Sequence, residues 1–391
     1  MASPGPAPDV LPRSRWADRW EVVRLFLRLG ATAFGGPAAH IALMETETVR
    51  RRGWLTSEEF LDLLGATHLI PGPNSTELAM HLGYRRAGSW GLWLAGTAFI
   101  LPAALLVAGL AALYERWGNL PSTERFLYGV QAVMIAVVVQ AAWGLGKSAL
   151  KRPWLILVAG VVWALRRAGI HELALLLAAG AFGIARQRFQ GAPGTAVFAL
   201  PVLGLTAPWS ALMTWLGGLP IVVRLFLIFL KIGAILYGSG YVLLAFLQSD
   251  LVDRLHWVTS RQLMDAVAVG QATPGPVLTT ATFIGYLVRG PVGAAAGTIG
   301  IFLPAFIFVA LTCRWLPQLR KTGRWGPFVD GVNAASLGLL ADVATQLGRA
   351  AIVDVGSAAL AMVSLGLLLG NRVNSVWLML GGATVGWWIH G

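Results

Sequence analysis

Arg28 lies in the apolar run Leu25-Phe26-Leu27-Arg28-Leu29, and Lys231 lies in Ile228-Phe229-Leu230-Lys231-Ile232, 203 positions later (231 − 28). A cation inside hydrocarbon costs roughly 3 kcal/mol or more, so it is kept for a ligand or a pathway. Neither has an evident partner in the sequence, and two such charges would suit one dianion; the alternative is that both snorkel toward the interface. Pro71-Gly72-Pro73 and Pro274-Gly275-Pro276 stand the same distance apart (274 − 71 = 203). Proline removes a backbone donor and clashes with the preceding turn, so each motif ends one helix and a new one starts after it. The new first turns, Asn74-Ser75-Thr76-Glu77 and Val277-Leu278-Thr279-Thr280, offer unpaired N–H groups and hydroxyls at the positive end of a helix dipole, which is an anion site. The breaks Phe34-Gly35-Gly36-Pro37 and Tyr237-Gly238-Ser239-Gly240 also recur at matching places. The expected substrate-binding set is therefore Arg28, Lys231, Gly35, Gly36, Gly72, Asn74, Ser75, Thr76, Gly238, Ser239, Gly275, Thr279 and Thr280. Within it the cations would set affinity. A unit charge about 5 Å from a dianion gains roughly 6–7 kcal/mol at an effective dielectric of about 20, against about 0.3–2 kcal/mol for a helix terminus.

Groups able to carry protons are unevenly placed. His40, Asp62, His68, Glu77 and His81 lie near the breaks of the first half, and only Asp265 lies in the second. Intramembrane acids and histidines form proton relays, so Glu77, His81, His68 and His40 are the expected proton-coupling groups. Asp62 and Asp265 recur at the common offset and read as structural. Other patterns carry no chemistry. Asn74-Ser75-Thr76 matches a glycosylation sequon by accident, inside a broken apolar segment, and His171-Glu172 has Leu175 where a zinc helix needs its second histidine. No phosphate-cradling glycine loop is present, so this chain is not expected to use ATP. A single cysteine, Cys313, excludes an internal disulfide and a cysteine metal cluster. No metal, cofactor or catalytic residue is expected.

The elements that position these residues belong to a membrane. Of the 391 residues 56% are hydrophobic and 12% charged, with mean hydropathy +0.67, against about a quarter charged in soluble domains. Gly91 to Tyr114 carries no charge and would span about 36 Å as a helix. Phe126 to Gly146, Gly191 to Val223 and Val292 to Cys313 are also uncharged and long enough to cross. Tryptophans beside charges fit interfacial belts, and basic residues scattered through short loops fit orientation signals, not nucleic-acid binding. The repeat continues downstream with a one-residue slip, pairing Leu101-Pro102-Ala103 with Leu303-Pro304-Ala305 and Gly129-Val130-Gln131-Ala132 with Gly331-Val332-Asn333-Ala334. Basic loops trade places between the halves: Arg50-Arg51-Arg52 matches a loop with Asp250, Asp253 and Arg254, and the bias then reverses at Arg314, Arg320, Lys321 and Arg324. Arg166-Arg167 runs against this pattern. The expectation is an all-α polytopic membrane protein, two homologous halves in inverted topology, with broken or re-entrant helices and about 10 to 13 membrane segments. Its organisation reads as a cytoplasmic tail at 1–20, a first repeat at 21–190, a linking span at 191–223 and a second repeat at 224–391.

At these motifs the sequence resembles the chromate ion transporter family in its long, two-domain form, over about residues 21 to 390. Phe34-Gly35-Gly36-Pro37 and the two Pro-Gly-Pro motifs carry the resemblance, while Tyr237-Gly238-Ser239-Gly240 departs from it. The resemblance implies efflux of chromate, with sulfate as a look-alike, across the bacterial inner membrane. Transport of another anion and a membrane-embedded enzyme using His68, Glu77 and His81 are the alternatives. The lipid bilayer is the expected surrounding, and the oligomeric state, a homodimer included, stays open.

Overall fold

The computed structural model describes residues 15–34, 36–67, 70–118, 121–150, 152–188, 218–236, 242–313, 326–370, 373 and 375–390. The expected linking span falls almost wholly outside them, as do Gly35, His68, Gly238 and Ser239. The described residues form helices without strands. The first half holds α1 (Arg15–Thr32), α2 (Gly36–Glu45), α3 (Ser57–Thr67), α4 (Asn74–Trp117), α5 (Pro121–Ala149), α6 (Pro153–Arg167) and α7 (Glu172–Arg188). The second repeats them as α8 (Ile221–Ile235), α9 (Leu243–Leu247), α10 (Ser260–Ala272), α11 (Thr280–Thr312), α12 (Gly326–Ala351), α13 (Val355–Leu369) and α14 (Ser375–His390). Even irregular turns recur: π-helical segments follow α2 at Thr46–Arg51 and α9 at Gln248–Arg254.

Three described helices are long and apolar enough to cross a membrane, within 74–117, 124–147 and 277–312. The earlier helices of each half are shorter and fold into hairpins. α1 turns back on α2 and its π segment, since Arg28 meets Glu47 and Arg52 approaches Glu21. α3 turns back on the start of α4, since Arg85 pairs with Glu59. At about 1.5 Å per residue the 11 residues of α3 rise only about 16 Å, half a bilayer core. The hairpin bases carry the charges, with Arg86 held by Asp18 at 2.7 Å and Glu21 at 2.8 Å, and Arg19 lying over Trp16 and Trp90, as befits a water interface. A capping box fixes the start of α3, where Thr56 and Glu59 bond each other's backbone N–H, and Thr259 with Gln262 does the same for α10.

A reversal hidden inside α4 has no proline to announce it. Ala87 leaves helical geometry and Gly88 adopts φ 64, ψ −153; in α11, Arg289 and Gly290 (φ 60, ψ −150) do the same. That backbone region is essentially open only to glycine. The arms on either side come together backbone to backbone, Gly83 on Gly91 and Gly285 on Gly293. The long arms then pack antiparallel across the halves: Trp93 stacks on Phe306 at 4.9 Å, while Ala104 and Thr298 line the other end of the same groove. Antiparallel contact between equivalent helices is the relation that an inverted repeat requires. α5 packs on α13 and α14, and α12 on α6 and α7, so each half borrows the other's last helices.

Candidate functional site

The hairpin tips of the two halves meet one another. The N–H of Gly72 donates to the carbonyl of Leu236 at 2.7 Å, and the N–H of Gly275 donates to the carbonyl of Ala33 at 3.0 Å. These bonds are images of each other, because 236 − 33 and 275 − 72 are both 203. Each Pro-Gly-Pro turn thus closes on the first hairpin of the opposite half. Gly72 has φ 140 and Gly275 has φ 91. A Cβ at Gly72 would run into the Glu77 carboxylate, and one at Gly275 would sit 2.7 Å from Ala103 Cβ and 3.1 Å from the Gly30 carbonyl. Glycine is needed there for backbone and for space.

The junction is chemically lopsided. On the first-half side Glu77 is fully buried and neither carboxylate oxygen has a hydrogen-bond partner among the described residues; the same holds for Thr76 Oγ1 and for His81 Nε2. Glu77 and His81 are four residues apart on α4 and share a face. His40 Nε2 lies 3.1 Å from the Ala33 carbonyl that also accepts from Gly275, and the ring stands edge-on to Phe99 at 5.4 Å. On the second-half side the hydroxyls are spent locally: Thr279 donates to the Pro276 carbonyl at 2.9 Å and Thr280 to that of Val277 at 2.8 Å. The matching first turns are therefore not equivalent donor sets. A Thr hydroxyl bonded to its own turn has less to offer an anion than one without a partner.

Arg28 and Lys231 are not the unaccompanied pair that their apolar runs suggest. Arg28 Nη2 lies 2.6 Å from Glu47, and Lys231 pairs with Asp250. The carboxylates obey the repeat too (250 − 47 = 203), as do their next partners, Arg51 at 2.8 Å from Glu47 and Arg254 at 3.2 Å from Asp250. Each half thus holds a cation–carboxylate–cation triad built on its π segment, a helical irregularity common at functional sites. Asp250 enters the sequence reading only as a loop charge and Glu47 not at all, although the same offset applied to acids pairs them. Gly36 starts α2 with φ 74. Asp265 is structural as expected: its carboxylate accepts from Tyr114 at 2.8 Å and from Gln131 at 2.7 Å, pinning α10 to α4 and α5.

Two separate stretches of the chain, 20–184 and 223–387, match the family described as Chromate transporter. The chain belongs to the chromate transporter family. It is 34% identical over 374 residues to the chromate transport protein of Cupriavidus metallidurans, covering 94% of this chain and 92% of that one. It is 33% identical to the chromate transport protein of Pseudomonas aeruginosa, covering 93% and 90%. With the probable chromate transport protein of Synechococcus elongatus the identity is 31% over 88% of each chain. No solved structure matches. The relatives are named as transport proteins, which sets aside the enzymatic reading, and the apolar helices make this chain an integral membrane protein of two homologous halves.

Proposed function

We propose that the protein exports chromate from the cytoplasm across a bacterial inner membrane, coupled to protons, with its substrate site at the junction of the hairpin tips. The observation that carries this reading is the matched pair of bonds from Gly72 to Leu236 and Gly275 to Ala33, closing beside a buried Glu77 whose carboxylate has no partner among the described residues. The oxyanion is held by the first turn of α4, by the Thr76 hydroxyl and by His81, at a helix N-terminus that favours negative charge. A carboxylate in that place repels the dianion, so Glu77 must carry a proton when chromate is bound and can give it up when the site empties. Substrate and proton then share one switch. His40 and the glycines Gly36, Gly72 and Gly275 shape the tips around it. Arg28 and Lys231, with their carboxylates, draw the anion toward the site from the two faces. The two halves are inverted relative to one another, and the N-terminus is cytoplasmic. Sulfate, of the same shape and charge, is the second substrate expected.

Flux into inside-out vesicles, with chromate as substrate and sulfate and molybdate as competitors, tests the reading. Because proton and chromate move together in this scheme, chromate uptake is expected to follow a proton gradient imposed acid outside the vesicle. Uptake indifferent to the gradient would remove the coupling, and no chromate uptake would remove the substrate.

A further inference from the structure

The second-half triad is covered and the first-half triad is not, and the cover comes from the other half. Glu172, at the start of α7, accepts from Ser249 Oγ at 2.9 Å and lies 3.4 Å from Arg254 Nη2. His171 Nε2 lies 2.7 Å from Arg254 Nη1. Arg254 in turn holds Asp250, which holds Lys231, and nearby Arg166 reaches Asp253 at 3.6 Å. His171, Glu172, Ser249 and Asp250 are all buried. The turn between α6 and α7 is thus bolted to α8 and to the second π segment. Among the described residues no ion pair joins the turn between α13 and α14 to the first-half triad. Among the described residues the ion-pair partners of Glu47 are Arg28, Arg51 and Arg52, all from its own half. The Arg28 and Arg51 side chains are 51% and 65% exposed, against 14% for Lys231. His171, Glu172 and Asp250 do present ligand atoms within 4.8 Å of one another. Lys231 and Arg254 both lie against Asp250 and Arg254 also lies against Glu172 Oε2, so two cations already balance the two carboxylates and the cluster is an ion-pair lock.

We propose that His171 and Glu172 form a one-sided latch, holding the second-half face shut in this state and releasing it for each transport cycle. The proposal rests on the transport reading above. An interface of a few buried ion pairs has discrete made and broken arrangements, as a rocking two-body transporter needs.

The test starts from a Cys313→Ser protein, which has no cysteine. A reporter Gln248→Cys, buried beside the latch, is treated with a membrane-impermeant maleimide from either face. Adding Glu172→Gln should speed labelling at least fivefold, and an unchanged rate would overturn the latch. In a second arm, Glu172→Cys with Ser249→Cys is oxidised and its cross-link confirmed by gel shift. Chromate flux should fall more than tenfold and return once the bond is reduced and the reductant washed away. Full flux from cross-linked protein would overturn the proposal. Labelling needs no substrate, so it judges the latch even where absent chromate flux would overturn the transport reading.

Discussion

The two halves share a backbone and differ in what they do with it. Reversals at Gly88 and Gly290, tips at Gly72 and Gly275, capping boxes at Thr56 and Thr259, and triads at Glu47 and Asp250 repeat almost residue for residue. Where the first half leaves Thr76 Oγ1, both Glu77 carboxylate oxygens and His81 Nε2 without a hydrogen-bond partner among the described residues, the second places two self-bonded threonines. Duplication supplies the scaffold, and divergence of one copy supplies the chemistry.

The sharpest way to break that comparison is to strike a shared element on either side. Gly72→Ala and Gly275→Ala should each lower chromate flux more than tenfold, because positive φ costs a non-glycine residue about 1–3 kcal/mol and each new methyl also meets a neighbour. Flux normalised to immunoblotted protein checks this, and equal losses in the two halves are expected.

Next come the triads, which should respond unequally. Lys231→Met strands the buried Asp250 beside Arg254 alone, a loss of roughly 3 kcal/mol that lowers the melting temperature of detergent-purified protein by several degrees. Arg28→Met leaves Glu47 with Arg51 and Arg52 at a wetter site and should cost less than about 1 kcal/mol. Adding Asp250→Asn to Lys231→Met should recover most of the loss. Equal costs for the two cations would contradict the difference in burial.

The smallest effect sharpens the donor asymmetry. Thr76→Val should lower apparent chromate affinity severalfold with little change in melting temperature. Thr279→Val should do the reverse, costing about 1 kcal/mol of stability with near-normal affinity.

Most of the scaffold was readable in the sequence because repetition marks what the backbone needs: the Pro-Gly-Pro tips, the glycine breaks and the near-constant offset all emerged without coordinates. The boundary before the uncharged span at Gly91 was legible, but the tight reversal at Gly88 was not, because nothing in Ala87-Gly88 distinguishes a positive-φ turn from an ordinary loop. The partners of Arg28 and Lys231 were missed for a different reason. They lie 19 residues away along the chain (47 − 28 and 250 − 231) and are joined only when the hairpin closes. Local apolar context argued for two unpaired charges, and tertiary folding supplied the carboxylates. Glu77 and His81 were legible by type and position. That Thr279 and Thr280 bond their own turn could not be read from a matching motif.

The central claim is that Glu77, at the meeting of the hairpin tips, joins proton and oxyanion movement. The direct measurement is chromate flux in vesicles from wild type and Glu77→Gln at matched abundance, once driven by a proton gradient and once as chromate-for-chromate exchange without one. Glutamine keeps the size of the side chain and cannot cycle a proton. The expected result is a more than tenfold loss of gradient-driven accumulation with exchange largely retained, and wild-type accumulation by Glu77→Gln would contradict the account.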